Sequence, residues 1–437
     1  MKLWTCAGLL AVATFISACS REFILEGERF ALRAPFAEGA GEAPVNRTVP
    51  VSLPAMVQNG EWTHRLGSPS TRISHPALGG ALQQVWSVPI GQGDGRRHRI
   101  TAEPVAAGGV IYTLDSRARV TAVSTSGETV WTRDLTPAFA RSADAASGGG
   151  LAIADGKLFV SSAFGMLWAL DLGSGAEVWS KRFDAPLTAP PTISGNHVYV
   201  VASDSTAWAL DPATGQTDWQ LAGAPSPSSM VGGAAPAVTG DLVLFPTSAG
   251  ELIAARRDTG QIMWRRAVAG TRIGVAYASV TDVTGDPVVQ GDVIYVGNQS
   301  GRIMALSRSD GRPIWTADEA AYGPVWPVGG SVFLLSDRNR IVRLDAASGE
   351  FIWSQPLPLH TRDRERRRAE IFPHYGPVLA GGRLIVGSGD GVLRSFDPAS
   401  GAQQAETELR SGAAITPIVV GGTLYVVSRD GRLTAYR

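Results

Sequence analysis

One short motif recurs along this chain and restricts its fold more than any other feature. Its fullest copies, at residues 169–179 and 209–219, read Ala-x-Asp, then Ser-Gly or Thr-Gly, then Trp. Looser copies keep a glycine four residues before a tryptophan, and they end at Trp131, Trp264, Trp315 and Trp353. A seventh copy keeps Asp397 and Gly401 but has Ala405 where the tryptophan belongs. Steps of roughly 38 to 52 residues between copies are typical of propeller blades and of helical repeats.

The residues ahead of each motif decide between these two architectures. Each unit begins near a proline, continues as three short apolar runs separated by Gly, Asn or Asp turns, and then reaches the motif, as in residues 191–219. The runs last four to six residues and are rich in Val, Ile, Tyr and Leu. Such runs with hairpin turns predict β-strands, and no helix of ten residues fits between the glycines.

Counting the units predicts an all-β, eight-bladed β-propeller with four-stranded antiparallel blades. Sets of three strands start near residues 104, 151, 190, 236, 287, 327, 377 and 417, and the last set ends with the chain, before any tryptophan strand. The strand around Trp86 has no such set ahead of it. We therefore expect it to complete the blade built from residues 417–437. Joining two strands that lie roughly 350 residues apart costs on the order of 5 kcal/mol of chain entropy. Strand pairing and protected strand edges can offset this cost.

The repeated residues have structural roles in this interpretation. Glycine supplies the positive φ of the turn, and the aspartate accepts hydrogen bonds from the turn amides. The regular tryptophans are expected to pack between neighbouring blades rather than to stack on a ligand. The repeat therefore predicts a fold and not an activity.

The first residues predict a targeting signal. Lys2 precedes an apolar stretch, residues 3–16, that is too short for a permanent transmembrane helix. The sequence Ile-Ser-Ala-Cys that ends at Cys19 resembles the lipobox of bacterial lipoproteins. This resemblance implies a signal peptide at residues 1–18, lipidation of Cys19 and a stable membrane anchor. An ordinary signal peptide that ends near a cysteine is the alternative. Ser20 resembles the signals that sort lipoproteins to the outer membrane.

The rest of the chain divides into a tether and the propeller. Residues 19–58 lack clear periodicity and are predicted to be a mobile, lipid-anchored tether. Residues 59–437 are assigned to the propeller, and the stretch around Trp62 is expected to lie across the ring. The formal net charge of zero argues against nucleic acid as a partner.

Three inter-blade loops are candidate interaction sites. Residues 222–233 carry Met230 and Val231, and residues 268–286 carry Asp282 and Thr284. Because these two loops join consecutive blades, we expect them to form one docking surface. The third loop, residues 357–373, is rich in arginine and is either a solvated loop or a contact for an acidic surface.

Little in the sequence points to catalysis. The six histidines have no metal-ligand spacing, and neither a nucleophile elbow nor a phosphate loop is present. A turn explains Asp282 and Asp286 better than a calcium site does. We therefore predict no catalytic residues, no metal and no cofactor.

The repeat resembles that of pyrroloquinoline-quinone-type propellers, and together with the lipobox it resembles the BamB family of outer-membrane assembly lipoproteins. The resemblance implies a non-enzymatic scaffold at the periplasmic face of the outer membrane. It also implies binding to the POTRA domains of BamA and to other assembly components, with unfolded outer-membrane proteins as candidate clients. The family docks through two neighbouring loops, which match Met230-Val231 and Asp282-Val283-Thr284. Val231 stands where the family has Arg, and Thr284 where it has a second Asp.

Two alternatives stay open at this point. One is a propeller that binds another envelope protein. The other is a quinoprotein dehydrogenase, whose family is usually longer and has adjacent cysteines beside its cofactor. This chain has only Cys6 and Cys19, which are not adjacent.

Overall fold

A computed structural model describes residues 44–224, 226, 232–270, 272 and 280–437. Residues 45–437 form one compact unit. The predicted signal peptide, Cys19 and the tether up to residue 43 lie outside the described residues. Within the described ranges, no helix combines the length and the apolar character needed to cross a bilayer.

The strands form eight four-stranded antiparallel sheets, as predicted for a propeller. In chain order β1 (Gln84–Pro89) comes first, and the blades are numbered after it. Blade 1 contains β2 (Val105–Ala107), β3 (Val110–Leu114), β4 (Arg119–Ser124) and β5 (Thr129–Asp134), and blade 2 contains β6 (Gly149–Ala154), β7 (Lys157–Ser162), β8 (Met166–Asp171) and β9 (Glu177–Arg182). Blade 3 contains β10 (Thr192–Ser194), β11 (His197–Val201), β12 (Ala207–Leu210) and β13 (Thr217–Leu221), and blade 4 contains β14 (Ala237–Thr239), β15 (Leu242–Pro246), β16 (Glu251–Arg256) and β17 (Ile262–Ala267). Blade 5 contains β18 (Val288–Gln290), β19 (Val293–Asn298), β20 (Arg302–Ser307) and β21 (Pro313–Ala317), and blade 6 contains β22 (Trp326–Val328), β23 (Ser331–Ser336), β24 (Arg340–Asp345) and β25 (Phe351–Pro356). Blade 7 contains β26 (His374–Ala380), β27 (Arg383–Ser388), β28 (Val392–Phe396) and β29 (Gln403–Glu408), and blade 8 contains β30 (Ile418–Val420), β31 (Thr423–Ser428) and β32 (Arg432–Tyr436). Short 3-10 helices cover Ala143–Ala145 and Glu365–Arg367.

The first strand of the chain closes the ring. β1 pairs antiparallel with β32, so that Trp86 lies opposite Ala435 and Val88 opposite Leu433. Gln83 and Arg437 exchange two backbone hydrogen bonds of 2.9 Å. Blade 8 is thus built from the first and the last strands of the described chain, and their pairing covers strand edges that would otherwise be open.

The motif tryptophans pack between neighbouring blades, as the repeat predicted. The indole of Trp179 in blade 2 lies against Gly215 of blade 3, where an added Cβ would stand 2.7 Å from the ring. Gly215 also has a φ of +72°, so this one position needs glycine for two reasons. The same contact joins Trp86–Gly127, Trp131–Gly175, Trp219–Gly260, Trp264–Gly311, Trp315–Gly349 and Trp353–Gly401.

The incomplete seventh motif has a structural explanation. Ala405 lies in β29, the fourth strand of blade 7, where a tryptophan would face the third-to-fourth strand turn of blade 8. Blade 8 has no such turn, because its third strand is β32 and its fourth strand is β1. These two strands pair with each other but are not joined by a turn of the chain. The tryptophan is therefore missing at the one interface that lacks a turn glycine to receive it.

Hydrogen bonds fix the motif turns. The Asp211 carboxylate accepts bonds from the Ala213 amide at 2.8 Å and from the Thr214 amide at 2.7 Å. The Thr214 hydroxyl donates a third bond, of 3.0 Å. These bonds favour the ionised form and hold the pKa of Asp211 below its usual value.

A segment ahead of β1, residues 59–76, runs through the centre of the ring. The first strands of neighbouring blades contact one another around most of the ring, so they surround its axis. The segment bonds in turn to the inner strand, or its flanking residues, of every blade. The sequence of contacts is Asn59 with blade 8, Trp62 with blade 1, Thr63 with blade 2, His64 with blade 3, Pro69 with blade 4, Ser70 with blade 5, Arg72 with blade 6 and Pro76 with blade 7. It covers strand edges that would otherwise face an open channel.

The chain before this segment is also held against the blades. Asn46 exchanges two hydrogen bonds with the backbone of Ser354 in β25, at 2.9 and 3.0 Å. The Arg47 amide donates to Ile352 O at 2.8 Å, and the Val49 amide donates to Ala399 O at 3.3 Å. The compact unit therefore begins at Val45, ahead of the predicted boundary between residues 58 and 59.

Candidate partner-binding face

One end of the ring carries the connections between blades, as far as the structure describes them. The connection after β17 bonds to the turn between β15 and β16 through the Val283 amide and Thr247 O, at 3.2 Å. The connection after β25 bonds to the β23–β24 turn through Leu357 and Asn339, at 2.8 Å. We call this end the loop face. The motif turns lie at the opposite end, because successive strands of a blade are antiparallel.

The second predicted docking loop is fastened along its described part. The Thr284 hydroxyl donates to Ala321 O at 2.9 Å, which ties it to the next inter-blade connection. The Thr281 hydroxyl donates to Ser248 O at 3.2 Å, and the Gly270 amide donates to Ser300 Oγ at 2.7 Å. The described part of this loop is therefore held against blades 4 and 5.

The four predicted contact residues are placed unequally. Met230 and Val231 lie outside the described residues. Asp282 and Thr284 lie together on the loop face, each with only 5% of its surface exposed. This burial leaves the two side chains little area for direct contact with a partner. Their assignment to partner binding stays a prediction.

A charged and aromatic group lies beside Asp282 and Thr284. Arg272 Nε is 3.3 Å from the Asp337 carboxylate, and Arg272 Nη2 donates to Asp318 O at 3.1 Å. Tyr322, in the next connection, is 38% exposed. Burial of its hydroxyl and the charge of Asp337 raise the pKa of Tyr322, so it is a neutral hydrogen-bond donor at physiological pH.

A buried ion-pair cluster ties the two docking loops to the central segment. Arg65 lies 3.0 Å from the Glu103 carboxylate and 3.1 Å from Asp286. It also donates to Gly233 O, at the end of the first loop, at 3.0 Å. Asp286, at the end of the second loop, accepts a 2.8 Å bond from the Ala235 amide. The bases of both loops therefore meet at one guanidinium group.

The charges in this cluster depend on one another. Burial raises the pKa of Asp286, and the positive charge of Arg65 opposes that shift. Arg72 is also buried, which lowers its pKa to about 10. Its guanidinium donates to Pro324 O at 2.7 Å and stacks 4.8 Å from the centre of the Trp326 ring. Removal of one member would leave an opposite charge without its partner in the interior.

This cluster was not predicted from the sequence. A signal for it was present, since Glu103 and Asp286 each stand immediately before the proline that opens a blade. Acidic residues are rarely buried unless paired, so an acid at the entry of an inner strand calls for a cation. The cation comes from the central segment, at Arg65, and nothing in the repeat marks that residue.

Metal-ligating residues are not grouped in the part of the chain that the structure describes. No set of three or more His, Cys, Asp or Glu side chains there is placed to hold one ion. Both ring nitrogens of His374, for example, form hydrogen bonds within the protein, one with Ser388 Oγ at 2.7 Å and the other with Pro358 O at 2.8 Å.

Comparisons with known proteins identify relatives. A family model described as outer membrane protein assembly factor BamB matches residues 116–355 and 362–437. The BamB of Shewanella oneidensis is 27% identical over 356 residues, which cover 80% of this chain and 87% of that protein. The crystal structure of BamB from Moraxella catarrhalis superposes with a TM-score of 0.67 at 22% identity, covering 82% of this chain and 100% of that chain. A quinohemoprotein alcohol dehydrogenase from Comamonas testosteroni has the same fold, with a TM-score of 0.64, 16% identity and coverage of 87% and 81%.

Proposed function

Because the chain belongs to the BamB family of outer membrane protein assembly factors, we propose that it is a scaffold of the outer-membrane β-barrel assembly machinery. The observation that carries this proposal is the family match, which spans blades 2 to 7 almost entirely, three of the four strands of blade 8 and the last two strands of blade 1. In the proposed role the protein holds BamA, through its POTRA domains, beside other assembly components and nascent outer-membrane proteins.

The docking surface in this proposal is the loop face around blades 3 to 5. Loops 222–233 and 268–286 join consecutive blades there, and Asp286 and Arg65 tie their bases together. A surface held in this way loses little conformational entropy when a partner binds. Tyr322 adds an exposed aromatic side chain of the kind enriched in protein interfaces.

We assign Asp282 and Thr284 a positioning role within this surface. Their burial and the 2.9 Å bond from Thr284 to Ala321 O support a function in holding the loop. Met230 is assigned to direct apolar contact on the family pattern alone, and Val231, which stands where the family has Arg, is assigned to the same contact as its neighbour in the sequence. In this arrangement the partner touches the loop surface, and Asp282 keeps that surface in shape.

We propose further that the protein is not an enzyme. Residues 59–76 occupy the centre of the ring and bond to the inner edges of all eight blades. A cofactor that needs the channel would have to displace these bonds. The chain also lacks the adjacent cysteines expected beside a quinone cofactor.

The proposal places the protein at the periplasmic face of the outer membrane, anchored through lipid on Cys19. The lipobox-like residues 16–19 support this anchor. Radiolabelled palmitate should be incorporated into the wild-type protein and not into a Cys19→Ala variant. Equal labelling of the two proteins would contradict the anchor.

The central experiment measures binding between the purified protein and the periplasmic region of BamA. We expect Asp282→Arg to weaken this binding at least about tenfold, a loss of about 1.4 kcal/mol, because a bulky cation at a 5% exposed position forces the loop out of shape. Asp292→Arg is the matched control, since Asp292 is 88% exposed in its side chain and lies in the β18–β19 turn at the opposite end of blade 5.

The two variants must share the wild-type melting temperature for the comparison to hold. Absence of binding by the wild-type protein would overturn the proposed partner. Binding that both variants retain equally would leave the partner in place and refute the docking surface.

A further inference from the structure

The connection between blades 6 and 7 carries a concentration of positive charge. We call residues 359–371 the arginine loop. Its core, residues 362–368, holds five arginines, whereas residues 362–370 hold three carboxylates. Every residue from 362 to 371 is exposed. In a chain whose formal net charge is zero, this is a local excess of cations.

These arginines differ from others nearby in forming no ion pair within the described part of the protein, although Asp363, Glu365 and Glu370 lie in the same loop. Arg368 Nε donates to Asp363 O at 3.1 Å. Arg394, in the adjacent blade, pairs with Asp390 at 2.6 Å, and Arg338 lies 3.8 Å from Glu319. The other four guanidinium groups of the arginine loop, and the remaining N–H donors of Arg368, are therefore available to an anionic surface from outside.

The base of the loop is firmly built. The Thr361 amide donates to Glu370 O at 3.0 Å, and the Phe372 amide donates to Leu359 O at 2.9 Å. From blade 6, the Asn339 side chain donates to Pro358 O at 3.2 Å and to Phe372 O at 3.1 Å. The arginines thus lie at the end of a hairpin-like stem that hydrogen bonds hold against blade 6.

Two aliphatic side chains flank the charged tip. Leu359 is 41% exposed and Ile371 is 50% exposed, on opposite sides of the stem. Segments that lie at the surface of a lipid bilayer typically combine cationic side chains with neighbouring aliphatic side chains. In such segments the arginines meet lipid phosphate groups, and neighbouring aliphatic side chains pack at the interface.

The start of the described chain lies on the same blade. The Val49 amide contacts blade 7, whereas Arg47 and Asn46 contact blade 6. Asn46 reaches Ser354, three residues before Leu357, where the connection to the arginine loop begins. Read from Val49 back to Asn46, the chain therefore runs along β25 toward the loop face. The proposed lipid anchor precedes these residues in the sequence.

We infer that the arginine loop is a membrane-contact surface that binds the anionic phospholipid headgroups of the bilayer to which the protein is anchored. The choice of this bilayer rests on the proposed lipid anchor, whereas the charge of the loop and its exposed aliphatic groups do not depend on that anchor. Contact at this site would hold the loop face at a fixed distance from the bilayer. An acidic protein surface is the competing occupant, and the exposed Leu359 and Ile371 favour the bilayer over it.

The test measures vesicle binding by the mature chain, residues 19–437, with Cys19→Ala replacing the lipidated residue. The vesicles contain phosphatidylethanolamine and phosphatidylglycerol at three to one, and neutral phosphatidylcholine vesicles serve as the comparison. Each arginine at an anionic surface contributes about a fivefold gain in affinity. We expect the triple variant R366Q/R367Q/R368Q to bind anionic vesicles at least about tenfold more weakly. The double variant L359S/I371S should lose affinity while keeping its salt dependence.

The matched control is R256Q/R308Q/R312Q, which removes the same charge from the opposite end of blades 4 and 5. It should bind anionic vesicles as the wild-type chain does. Equal loss in both triple variants, or equal wild-type binding to neutral vesicles, would overturn the inference. Loss of BamA binding by R366Q/R367Q/R368Q with unchanged vesicle binding would assign the loop to an acidic protein instead. Wild-type BamA binding is measured separately, so failure of the proposed scaffold role and failure of the membrane contact are distinguishable.

Discussion

The contact between Trp353 and Gly401 offers a quantitative test of how neighbouring blades are joined. Trp353 is fully buried in β25, and its indole N–H donates to Pro398 O at 3.1 Å. Gly401 lies in the next blade with a φ of +74°. We consider two substitutions, Trp353→Ala and Gly401→Ala, made singly and together.

The expected free-energy changes follow from these contacts. Trp353→Ala removes a buried indole, at about 3–5 kcal/mol, and a hydrogen bond, at about 1 kcal/mol. Gly401→Ala places a Cβ 2.7 Å from two indole carbons, which adds about 1–3 kcal/mol of overpacking to about 1–2 kcal/mol for the left-handed backbone. Once Trp353 is gone, only the backbone cost remains. The double variant should therefore be about 1–3 kcal/mol more stable than the sum of the singles predicts.

Urea unfolding followed by tryptophan fluorescence and circular dichroism measures all four proteins, and equal m-values make their midpoints comparable. Gly330→Ala is the control. Gly330 has the same φ, +74°, but an added Cβ there meets nothing within 4 Å, so only the backbone cost of about 1–2 kcal/mol applies. Additive effects of Trp353→Ala and Gly401→Ala, or equal effects of the two glycine substitutions, would refute the steric account of the repeat.

Three further outcomes are expected. Arg65→Met should destabilise the fold by about 3–5 kcal/mol, because it leaves Asp286 buried beside another carboxylate, and a melting temperature within a degree of wild type would contradict this. Burial lowers the pKa of His64 to about 4, and the 3.1 Å bond that the Ile193 amide donates to Nε2 also requires the neutral ring. As the pH falls, His64 is protonated in the unfolded chain before it is protonated in the folded one. The free energy of unfolding should therefore fall by about 3 kcal/mol from pH 6.5 to pH 4. His64→Gln should flatten that slope in urea titrations, and an unchanged slope would exclude His64 as its source. Ala405→Trp should not raise the unfolding midpoint, because blade 8 has no turn glycine to receive the ring; a gain of more than about 1 kcal/mol would contradict the explanation of the missing tryptophan.

The repeat made the architecture predictable because it encodes contacts that recur in every blade. Strand number, blade number and the pairing of the Trp86 strand followed from spacing, turn residues and the position of one unpaired strand. The reason for Ala405 did not, because it depends on which neighbour the strand faces. That neighbour is known only once the ring is closed.

The site was less predictable because its contacts are not repeated. The positions of the docking loops followed from their length and their adjacency. Burial of Asp282 did not follow, since a sequence pattern gives no account of what packs over a loop. Arg65 escaped notice for a similar reason, because its partners Glu103 and Asp286 are brought to it only by the path of the central segment.

That path has a consequence for how the molecule matures. Asn59, at the start of the segment, bonds to Val419 in the blade that is synthesised last. The following residues of the segment bond to the other seven blades. β1 likewise waits for β32. A chain released before its final blade would leave β1 without β32 and Asn59 without Val419, while the rest of the central segment could still bond to blades 1 to 7. Closure of the ring is therefore expected to wait for the last-made strands, and a truncated chain is expected to stay open at that one place.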